Sequence, residues 1–343
     1  MSLKKKDKMT KNIQNNTLNE IADILHKHNN FIISSHIHLD GDALGSEIAL
    51  FAMLKQLKKN VKIINQDNTP EIYQFLPYAQ EIISSKDIPK DSYFDIEPET
   101  VLIALDSSNL DRIGEINIDF KKVDFIINID HHPSNNLFGK YNYINSKASS
   151  VGEILYSLCK KIKCTINQNI AVALYTAIIT DTGSFRYTNT KAKTFQIASD
   201  LVKNGVNPAN ISNHIYNNNN PSTIKLLGKA LNELVIDSSS KIAWTFITRE
   251  MLNSIQARDE DVEGIVDKIL SIKNIQVSVF FREAENGFIK VSFRSRGKFN
   301  VDYFARLFGG GGHHNAAGCN IKDNLNDAMT EVITKLKTEI KNI

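Results

Sequence analysis

The chain has 343 residues, of which 42% are hydrophobic and 23% charged, so it can form about two globular domains with buried cores. Its formal net charge of +3 is too small for tight binding of long nucleic acid through phosphates alone, although a small anionic substrate remains compatible. No apolar run approaches the roughly 20 residues that cross a bilayer, and three cysteines without C-x-x-C spacing argue against a disulfide framework or structural zinc.

Residues 1–14 are basic and polar, and no apolar segment of a signal peptide follows them, so we expect a solvated tail. These features predict a cytoplasmic protein. They exclude a membrane and long duplex nucleic acid from its expected partners.

The first predicted elements surround a strand-to-helix turn. Residues 17–28 predict a helix, with Thr17 as N-cap and Glu20 completing a capping box. The apolar run 31–35 predicts a buried strand, and 43–58 predicts a helix. The turn between them contains four ionisable residues: His36, His38, Asp40 and Asp42. Groups packed this closely repel or titrate unless a cation holds them, so the turn predicts a metal site. The alternative is a His- and Asp-rich turn without a ligand.

Two later strands end in the same types of residue. The run 101–105 (VLIAL) leads directly into Asp106, and 123–129 (VDFIINI) leads into Asp130, His131 and His132. Neither run alternates, which is typical of strands buried on both faces of a parallel sheet, and VKIIN predicts another such strand at 61–65. The carboxyl ends of parallel strands line one crevice, so these side chains are expected to meet there.

A further acidic position follows a helix. Helices are predicted at about 150–163 and 167–180, and the second ends in Asp181 before a glycine turn. Alone, Asp181 would be a capping residue; beside the other clusters it becomes a candidate ligand. Carboxylates and imidazoles without thiolates suit Mn²⁺ or Mg²⁺, and their number suits two ions that share a carboxylate. Such a pair activates water for attack on phosphorus, so the residues predict hydrolysis of a phosphoester or phosphoanhydride.

The fold class predicted is α/β, with a mostly parallel N-terminal sheet, a smaller C-terminal α/β domain and a cleft between the two. We expect a metal-binding domain at 15–188, a partly helical, Asn-rich connector at 189–222 and a second domain at 223–343. In the second domain, strands are predicted at 241–247, 275–282 and 287–294. Helices are predicted at 222–234, 259–270, 301–308 and 325–341.

The C-terminal half carries a glycine-rich segment, GGGGHHNAAG, at 309–318. Its backbone amides can approach an anion closely, and a histidine can add a donor or stack on a base. Arg294 and Arg296 end a predicted strand at alternate positions, so they are expected to share a face and to grip phosphate. The alternative is a flexible hinge with surface arginines. The candidate substrate-binding residues are Arg294, Gly310, Gly311, Gly312 and His313.

Taken together, these segments resemble the DHH family of phosphoesterases. Its four motifs are matched by HIHLDGDALGS, by LDSS at Asp106, by Asp130-His131-His132 and by TDTGSFRY, while GGGGHHNAAG resembles the signature of the DHH-associated C-terminal domain. The resemblance spans roughly residues 20–340 and is strongest to the two-domain oligoribonuclease and bisphosphonucleotide phosphatase group. One departure is Leu39, where members often carry proline, and it leaves the ligand spacing unchanged.

The resemblance also implies a role for each candidate residue. His132 would be the catalytic group facing the scissile phosphate, Asp130 would orient a ligand histidine, and Asp106 would bridge two Mn²⁺ ions. Mg²⁺ or Co²⁺ could substitute for Mn²⁺. The remaining ligands of the first ion would be His36 and Asp40. The remaining ligands of the second ion would be Asp42, His131 and Asp181.

The activity implied is hydrolysis of RNA of about two to five nucleotides and removal of the 3′-phosphate of 3′-phosphoadenosine 5′-phosphate. One alternative is cleavage of cyclic di-adenylate or its linear product. A pyrophosphatase is disfavoured by the C-terminal signature, and a long-strand exonuclease would need further domains. A non-catalytic nucleotide sensor predicts a lost ligand, whereas every ligand position is filled. A homodimer is one option for the assembly.

Overall fold

The computed structural model describes residues 15–89, 92–284 and 287–340, without the side chains of Glu260 and His313. The predicted tail at residues 1–14 lies outside this part of the chain. The protein divides into two compact units, residues 1–218 and 219–343, with the boundary inside the Asn-rich segment.

The first unit is built on a six-stranded sheet in which every neighbouring pair is parallel, in the order β3-β2-β1-β4-β5-β6. The four predicted strands are confirmed and form its centre, whereas the two short edge strands were not predicted. The strands are β1 (Asn30–Ser34), β2 (Asn60–Asn65), β3 (Ile82–Ser84), β4 (Thr100–Leu105), β5 (Val123–Asp130) and β6 (Tyr141–Ile144).

Both faces of this sheet are covered, which explains the uninterrupted apolar runs. On one face, alternate residues such as Ile33 and Ile103 pack with the helices of the unit. On the other face, Ile32 and Leu102 pack against the irregular segment that contains Ile113. The helices are α1 (Leu18–Lys27), α2 (Gly41–Gln56), α3 (Val151–Lys161), α4 (Gln168–Asp181), α5 (Ala192–Lys203) and α6 (Pro208–Tyr216).

Local sequence signals set several helix boundaries. The predicted capping box of α1 is confirmed, because Thr17 Oγ1 accepts from the Glu20 amide at 3.2 Å and the Thr17 amide donates to Glu20 Oε2 at 2.6 Å. Helix α5 lies where a helix was predicted within the connector. The helices α5 and α6 are part of the first unit, and their residues Ile197 and Ile211 are buried in its core.

The second unit contains a mixed six-stranded sheet in the order β11-β12-β10-β9-β8-β7, in which only β8 and β9 of the described strands pair in parallel. Its strands are β7 (Val235–Asp237), β8 (Ile242–Ile247), β9 (Val277–Glu283), β10 (Ile289–Ser295), β11 (Gly311–His313) and β12 (Ala316–Ile321). Its helices are α7 (Pro221–Asn232), α8 (Arg249–Ser254), α9 (Ile265–Leu270), α10 (Val301–Arg306) and α11 (Leu325–Ile340).

Two sequence predictions in this unit need correction. The helix predicted at 259–270 is divided at Gly264, whose φ of +79° interrupts it between a 3₁₀ turn (Asp259–Val262) and α9. Part of the glycine segment forms strand β11 rather than a loop. The longest helices, α2 and α11, have 16 residues each, and no helix in the described part of the chain is long and apolar enough to cross a membrane.

Candidate active site

Three strands at the centre of the parallel sheet carry candidate ligands at their carboxyl ends. Strands β1, β4 and β5 are consecutive neighbours, so the turn after β1, Asp106 after β4 and His131 after β5 meet at one edge. Asp181 is the last residue of α4, which packs against α2. The sheet order, together with the packing of α4 against α2, therefore brings together all six residues predicted to hold metal. They form two groups of three, and a further possible group joins Asp106 and His131 to His132.

The first group contains His36, Asp40 and Asp106. His36 Nε2 lies 3.3 Å from Asp106 Oδ2 and 3.7 Å from Asp40 Oδ2. The other ring nitrogen, Nδ1, lies 2.8 Å from the carbonyl of Ile37, where only a protonated nitrogen can donate. This contact makes Nδ1 the donor and leaves Nε2 as the nitrogen that faces the carboxylates, where a metal would be bound.

Asp40 is held by the helix that it begins. As N-cap of α2, it accepts through Oδ1 from the amide of Ala43 at 3.0 Å, which leaves Oδ2 directed at His36. Asp42, in the first turn of the same helix, is buried. Its carboxylate accepts from the amides of Val151 and Gly152, at 2.7 and 3.0 Å, where α3 begins.

The second group contains Asp42, His131 and Asp181. His131 Nε2 lies 3.8 Å from Asp42 Oδ2, 3.7 Å from Asp181 Oδ2 and 3.6 Å from Asp106 Oδ1. Asp106 therefore contributes one oxygen towards each group. These distances exceed those of direct hydrogen bonds, and they leave the donor atoms arranged around a common centre.

Asp106 has two further features typical of a site that is built for a ligand. Its backbone φ is +51°, in the left-handed region that residues other than glycine seldom adopt. Its Oδ1 atom is buried and has no hydrogen-bond partner among the described residues. An unsatisfied buried acceptor costs about 1–3 kcal/mol, and a bound cation would remove that cost. The donor set and this unpaired oxygen fit a divalent metal pair.

The electrostatics of the cluster point to the same conclusion. Burial, with the charges of Asp42 and Asp40, raises the pKa of Asp106 well above its ordinary value. Burial and Asp181 likewise raise the pKa of Asp42 to about 7. Burial lowers the pKa of His131, but the surrounding carboxylates outweigh it and raise the pKa to about 9. The cluster thus has an excess of negative charge, which a divalent cation would neutralise.

His132 and Asp130 form a hydrogen-bonded pair beside the two groups. His132 Nδ1 lies 2.7 Å from Asp130 Oδ1, and Asn135 donates to Asp130 Oδ2 at 2.7 Å. Burial raises the pKa of Asp130, but the hydrogen bond and charge of His132 outweigh it, so the pKa lies below its ordinary value.

One predicted role needs correction here. The ring that Asp130 orients belongs to His132, whereas it contacts the candidate ligand His131 through the backbone amide, at 2.7 Å. The reason is the turn that follows β5, which brings the ring of His132 back to the carboxylate of Asp130.

The segment after Asp181 folds back onto the site. Gly183, Ser184 and Phe185 all have positive φ, of +54°, +60° and +64°. This sharp reversal returns Asn189 to Asp181, where its Nδ2 donates to the backbone carbonyl at 3.0 Å and lies 3.3 Å from Oδ2. Asn189 was missed in the sequence because nothing in its spacing indicated the reversal.

A cavity of about 240 Å³ adjoins the candidate ligands within the first unit. Its apolar walls come from the 3₁₀ turn Glu71–Tyr73 and from the end of α6. The lining residues are Asp40, Tyr73, Thr180, Asp181, Ile215 and Tyr216. The cavity could receive a ring attached to a phosphate at the cluster.

In the second unit, the two predicted arginines are placed differently. Arg294 lies on β10, and its guanidinium donates to Asp267 Oδ1 and to the Phe293 carbonyl, both at 3.1 Å. Arg296 lies beyond the end of β10, so the alternation that predicted a shared face does not extend to it. Arg296 lines a cavity of about 460 Å³ together with Lys241 and Lys298.

The glycine segment is shaped by its neighbouring strand. Strand β11 pairs with β12, and a side chain at Gly310 would overlap the carbonyl of Gly318. The amide of Gly312 donates to Asp302 Oδ1 at 2.8 Å, so this amide already has a carboxylate as its acceptor. At Gly311, an added Cβ would meet only Asp302 Oδ1, at 3.4 Å. Close strand packing therefore explains part of the glycine run that was predicted to form an anion nest.

This arrangement predicts that alanine substitutions at two neighbouring glycines affect the stability of the protein differently. Gly310→Ala should destabilise the protein by about 1–3 kcal/mol, because its methyl group must displace the backbone of β12. Gly311→Ala should leave the free energy of unfolding within about 0.5 kcal/mol of the wild-type value. Denaturant unfolding of the two variants measures both effects. Equal destabilisation by the two would contradict the assigned packing.

Two family profiles match the sequence. The profile described as the DHH family, N-terminal domain, matches residues 30–178, and the profile described as the DHHA1 domain matches residues 242–342. The first match contains five of the six candidate metal ligands, Asp181 lying just beyond it. The second contains Arg294 and the glycine segment.

Relatives match over most of the chain. The chain is 30% identical to a probable bifunctional oligoribonuclease and PAP phosphatase NrnA from Streptococcus mutans, with 84% of this chain and 88% of that protein covered. It is 29% identical to the bifunctional oligoribonuclease and PAP phosphatase NrnA from Thermus thermophilus, covering 90% of this chain and 89% of that protein. The crystal structure of an exopolyphosphatase-related protein from Bacteroides fragilis superposes with a TM-score of 0.87 at 28% identity, covering 94% and 97% of the chains.

Proposed function

The chain belongs to the DHH family of phosphoesterases, in the form that carries a DHHA1 domain, and from this premise we propose that it hydrolyses very short oligoribonucleotides to mononucleotides. We propose further that it removes the 3′-phosphate of 3′-phosphoadenosine 5′-phosphate, with Mn²⁺ as cofactor. In this proposal residues 15–188 carry the metals, 189–222 connect the domains and 223–343 bind substrate.

The observation that carries the proposal is the position of Asp106. Its two carboxylate oxygens face different histidines, His36 at 3.3 Å and His131 at 3.6 Å, and each histidine has further carboxylates around it. A shared carboxylate between two groups of ligands is the arrangement that a two-metal phosphohydrolase needs. When bound, two divalent ions supply Lewis-acid polarisation of the phosphate and activation of the attacking water.

In this assignment His36, Asp40 and Asp106 would hold one ion. Asp106 would also join Asp42, His131 and Asp181 at the other ion. The chain's own contribution is to fix these donors before substrate arrives. The amides at the start of α3 hold Asp42, the N-terminus of α2 holds Asp40, and the Ile37 carbonyl holds His36. Donors held in this way need little rearrangement when the reaction occurs.

His132 and Asp130 supply a group that can act on the phosphate. Because Nδ1 of His132 contacts Asp130, Nε2 is the nitrogen that would hydrogen-bond a phosphate oxygen or the leaving group. The form of the ring that donates to an oxyanion is the one protonated on both nitrogens. The same contact keeps His132 Nδ1 from serving as a metal ligand.

Several observations support a nucleotide substrate. Both relatives described above are named as oligoribonucleases and PAP phosphatases. The cavity beside Asp40 and Asp181 has walls from Tyr73 and Tyr216, and aromatic walls suit a nucleoside better than inorganic pyrophosphate. The modest net charge of +3 suits short chains. The names of the relatives favour short RNA and bisphosphonucleotides over cyclic di-adenylate.

Arg294→Ala should raise KM for a dinucleotide about tenfold and lower kcat much less, if the guanidinium binds ground state and transition state equally. Steady-state kinetics on pApA give both constants. Asp267→Ala is the matched control, because it removes the carboxylate that accepts from Arg294 at 3.1 Å and keeps the guanidinium itself. A defect confined to kcat would indicate that Arg294 stabilises the transition state rather than the bound substrate.

The decisive experiment compares three substrates with the Mn²⁺-loaded protein: pApA, 3′-phosphoadenosine 5′-phosphate and cyclic di-adenylate. Release of AMP from the first two, with little opening of the third, is the expected result. Rapid opening of cyclic di-adenylate to pApA would instead assign the protein to the hydrolysis of signalling dinucleotides. Absence of hydrolysis from all three would overturn the proposal.

A further inference from the structure

Four polar side chains are buried directly beneath the turn that carries His36. They belong to Ser34, Ser35, Glu47 and Asn65, and none is more than 1% exposed. A buried polar side chain destabilises a protein core unless it forms hydrogen bonds, so the partners of these four side chains matter. None of the four has a part in the chemistry described above.

Asn65 connects three elements at the end of β2. Its Nδ2 donates to Glu47 Oε2 on α2 at 2.9 Å. Its Oδ1 accepts from the amide of Ser35 at 3.2 Å and from Ser34 Oγ at 3.3 Å. The carboxamide is therefore oriented, because its donor faces a carboxylate and its acceptor faces a backbone amide.

The backbone on both sides of His36 is held in place. Ser35 is bound by Asn65 immediately before it, and the amide of Ile37 donates to the Arg112 carbonyl at 2.7 Å immediately after it. The next amide, of His38, donates to Asp67 Oδ2 at 2.8 Å. Within this series, the contact from Asn65 is the one that reaches back to α2, through Glu47.

This link joins two pieces of the candidate metal centre. Helix α2 carries Asp40 at its start, Asp42 in its first turn and Glu47 in the next. The turn after β1 carries His36. A hydrogen bond from Glu47 to Asn65, and from Asn65 to Ser35, therefore sets the distance between helix and turn. On this geometry we propose that Glu47 and Asn65 are positioning residues, which hold His36 in register with Asp40 and so raise the affinity for the divalent ion.

The proposal rests on the proposed function only in the assignment of His36 and Asp40 as ligands. It can be tested by exchanging donor and acceptor. In Asn65→Asp, an oxygen replaces Nδ2 and faces Glu47 Oε2, so the two acceptors repel. In Glu47→Gln, the remaining oxygen can still accept from Asn65. Burial raises the pKa of Glu47 to about 7, against the hydrogen bond from Asn65, and a glutamine side chain resembles its neutral form. In the double variant, the amide introduced on α2 can donate to the carboxylate introduced on β2, and that carboxylate can still accept from Ser35.

Mn²⁺ affinity is measured on the substrate-free protein, from the electron paramagnetic resonance signal of free Mn²⁺. We expect Asn65→Asp to weaken binding about tenfold, as is typical when a group behind a ligand is lost. Glu47→Gln should stay within about threefold of wild type, and the double variant should regain most of the loss. Asp261→Asn is the control, since it alters a buried carboxylate of the second unit that accepts from Thr223 at 2.6 Å. It should lower Tm and leave Mn²⁺ affinity unchanged.

Two results would overturn the proposal. One is wild-type Mn²⁺ affinity in Asn65→Asp; the other is a double variant that binds no better than Asn65→Asp. If Glu47→Gln alone weakened Mn²⁺ binding tenfold, the negative charge of Glu47 would explain the affinity. That result would also contradict the proposed role of the Glu47–Asn65 hydrogen bond. Because no substrate is present, a failure to hydrolyse RNA would overturn only the proposed function. A wild-type protein that binds no Mn²⁺ would overturn the metal centre itself.

Discussion

Asp106→Asn should reduce Mn²⁺-dependent hydrolysis of pApA at least about a thousandfold, because it weakens the ligand that the proposal assigns to both metal positions. The same change should raise the Tm of the metal-free protein by a few degrees. It removes a buried charge that is repelled by Asp42 and Asp40, and asparagine tolerates the left-handed backbone at this position. Initial rates and thermal unfolding, with and without Mn²⁺, measure the two effects.

The two effects have opposite signs, and this separates a metal site from a structural carboxylate. A carboxylate that only supported the fold would lower Tm when it was neutralised. Asp200→Asn is a suitable control, because Asp200 accepts from Tyr156 at 2.6 Å on α5 and belongs to neither group of candidate ligands. It should keep full activity. Substantial Mn²⁺-dependent turnover by Asp106→Asn would refute the shared-ligand assignment.

His132→Asn should lower kcat about 10²–10³-fold and leave Mn²⁺ affinity within about threefold of wild type. The amide nitrogen of asparagine can replace Nδ1 and keep the hydrogen bond to Asp130, which is 2.7 Å long in the wild type, while Nε2 is lost. The fold around Asp130 should therefore persist. Single-turnover rates and Mn²⁺ titration distinguish the two quantities.

The alternative to test is that His132 is itself a metal ligand, since it forms a third possible group with Asp106 and His131. A Mn²⁺ affinity at least tenfold lower in His132→Asn would support that alternative. A second check uses Asp130→Asn. If Asp130 acts through His132, the double variant should be no slower than His132→Asn alone, because coupled residues are not additive.

The centre of the first unit could be predicted from sequence because its strands carry a strong signal. Runs such as 101–105 are apolar at every position, and each leads directly into a polar residue that must lie at the strand end. Parallel pairing then places those ends together. The meeting of the strand ends follows from the sheet, whereas Asp40, Asp42 and Asp181 lie at the ends of helices, and their roles as ligands are implied by the family resemblance.

Other features depend on contacts that no local pattern encodes. Strands β3 and β6 are short edge strands, and Tyr141–Ile144 mixes aromatic and polar residues without a clear period. Strand β11 begins with two glycines, which have no strand preference, and it exists because β12 pairs with it. Glutamate is usually found at the protein surface, so the sequence does not indicate that Glu47 is buried against Asn65.

The sheet order has a consequence for how the protein unfolds. Strand β1 pairs with β4, so that Phe31 lies opposite Val101, although β2 and β3 come between them in the chain. Closing so long a loop is slow, and His36 cannot approach Asp106 until it has happened. A metal held by these residues would make its contacts late in folding, and a contact made after the folding barrier lowers the unfolding rate without raising the folding rate. Removal of the metal by a chelator should leave the refolding rate unchanged and increase the unfolding rate. The protein should then be digested faster by a protease that cleaves the unfolded state.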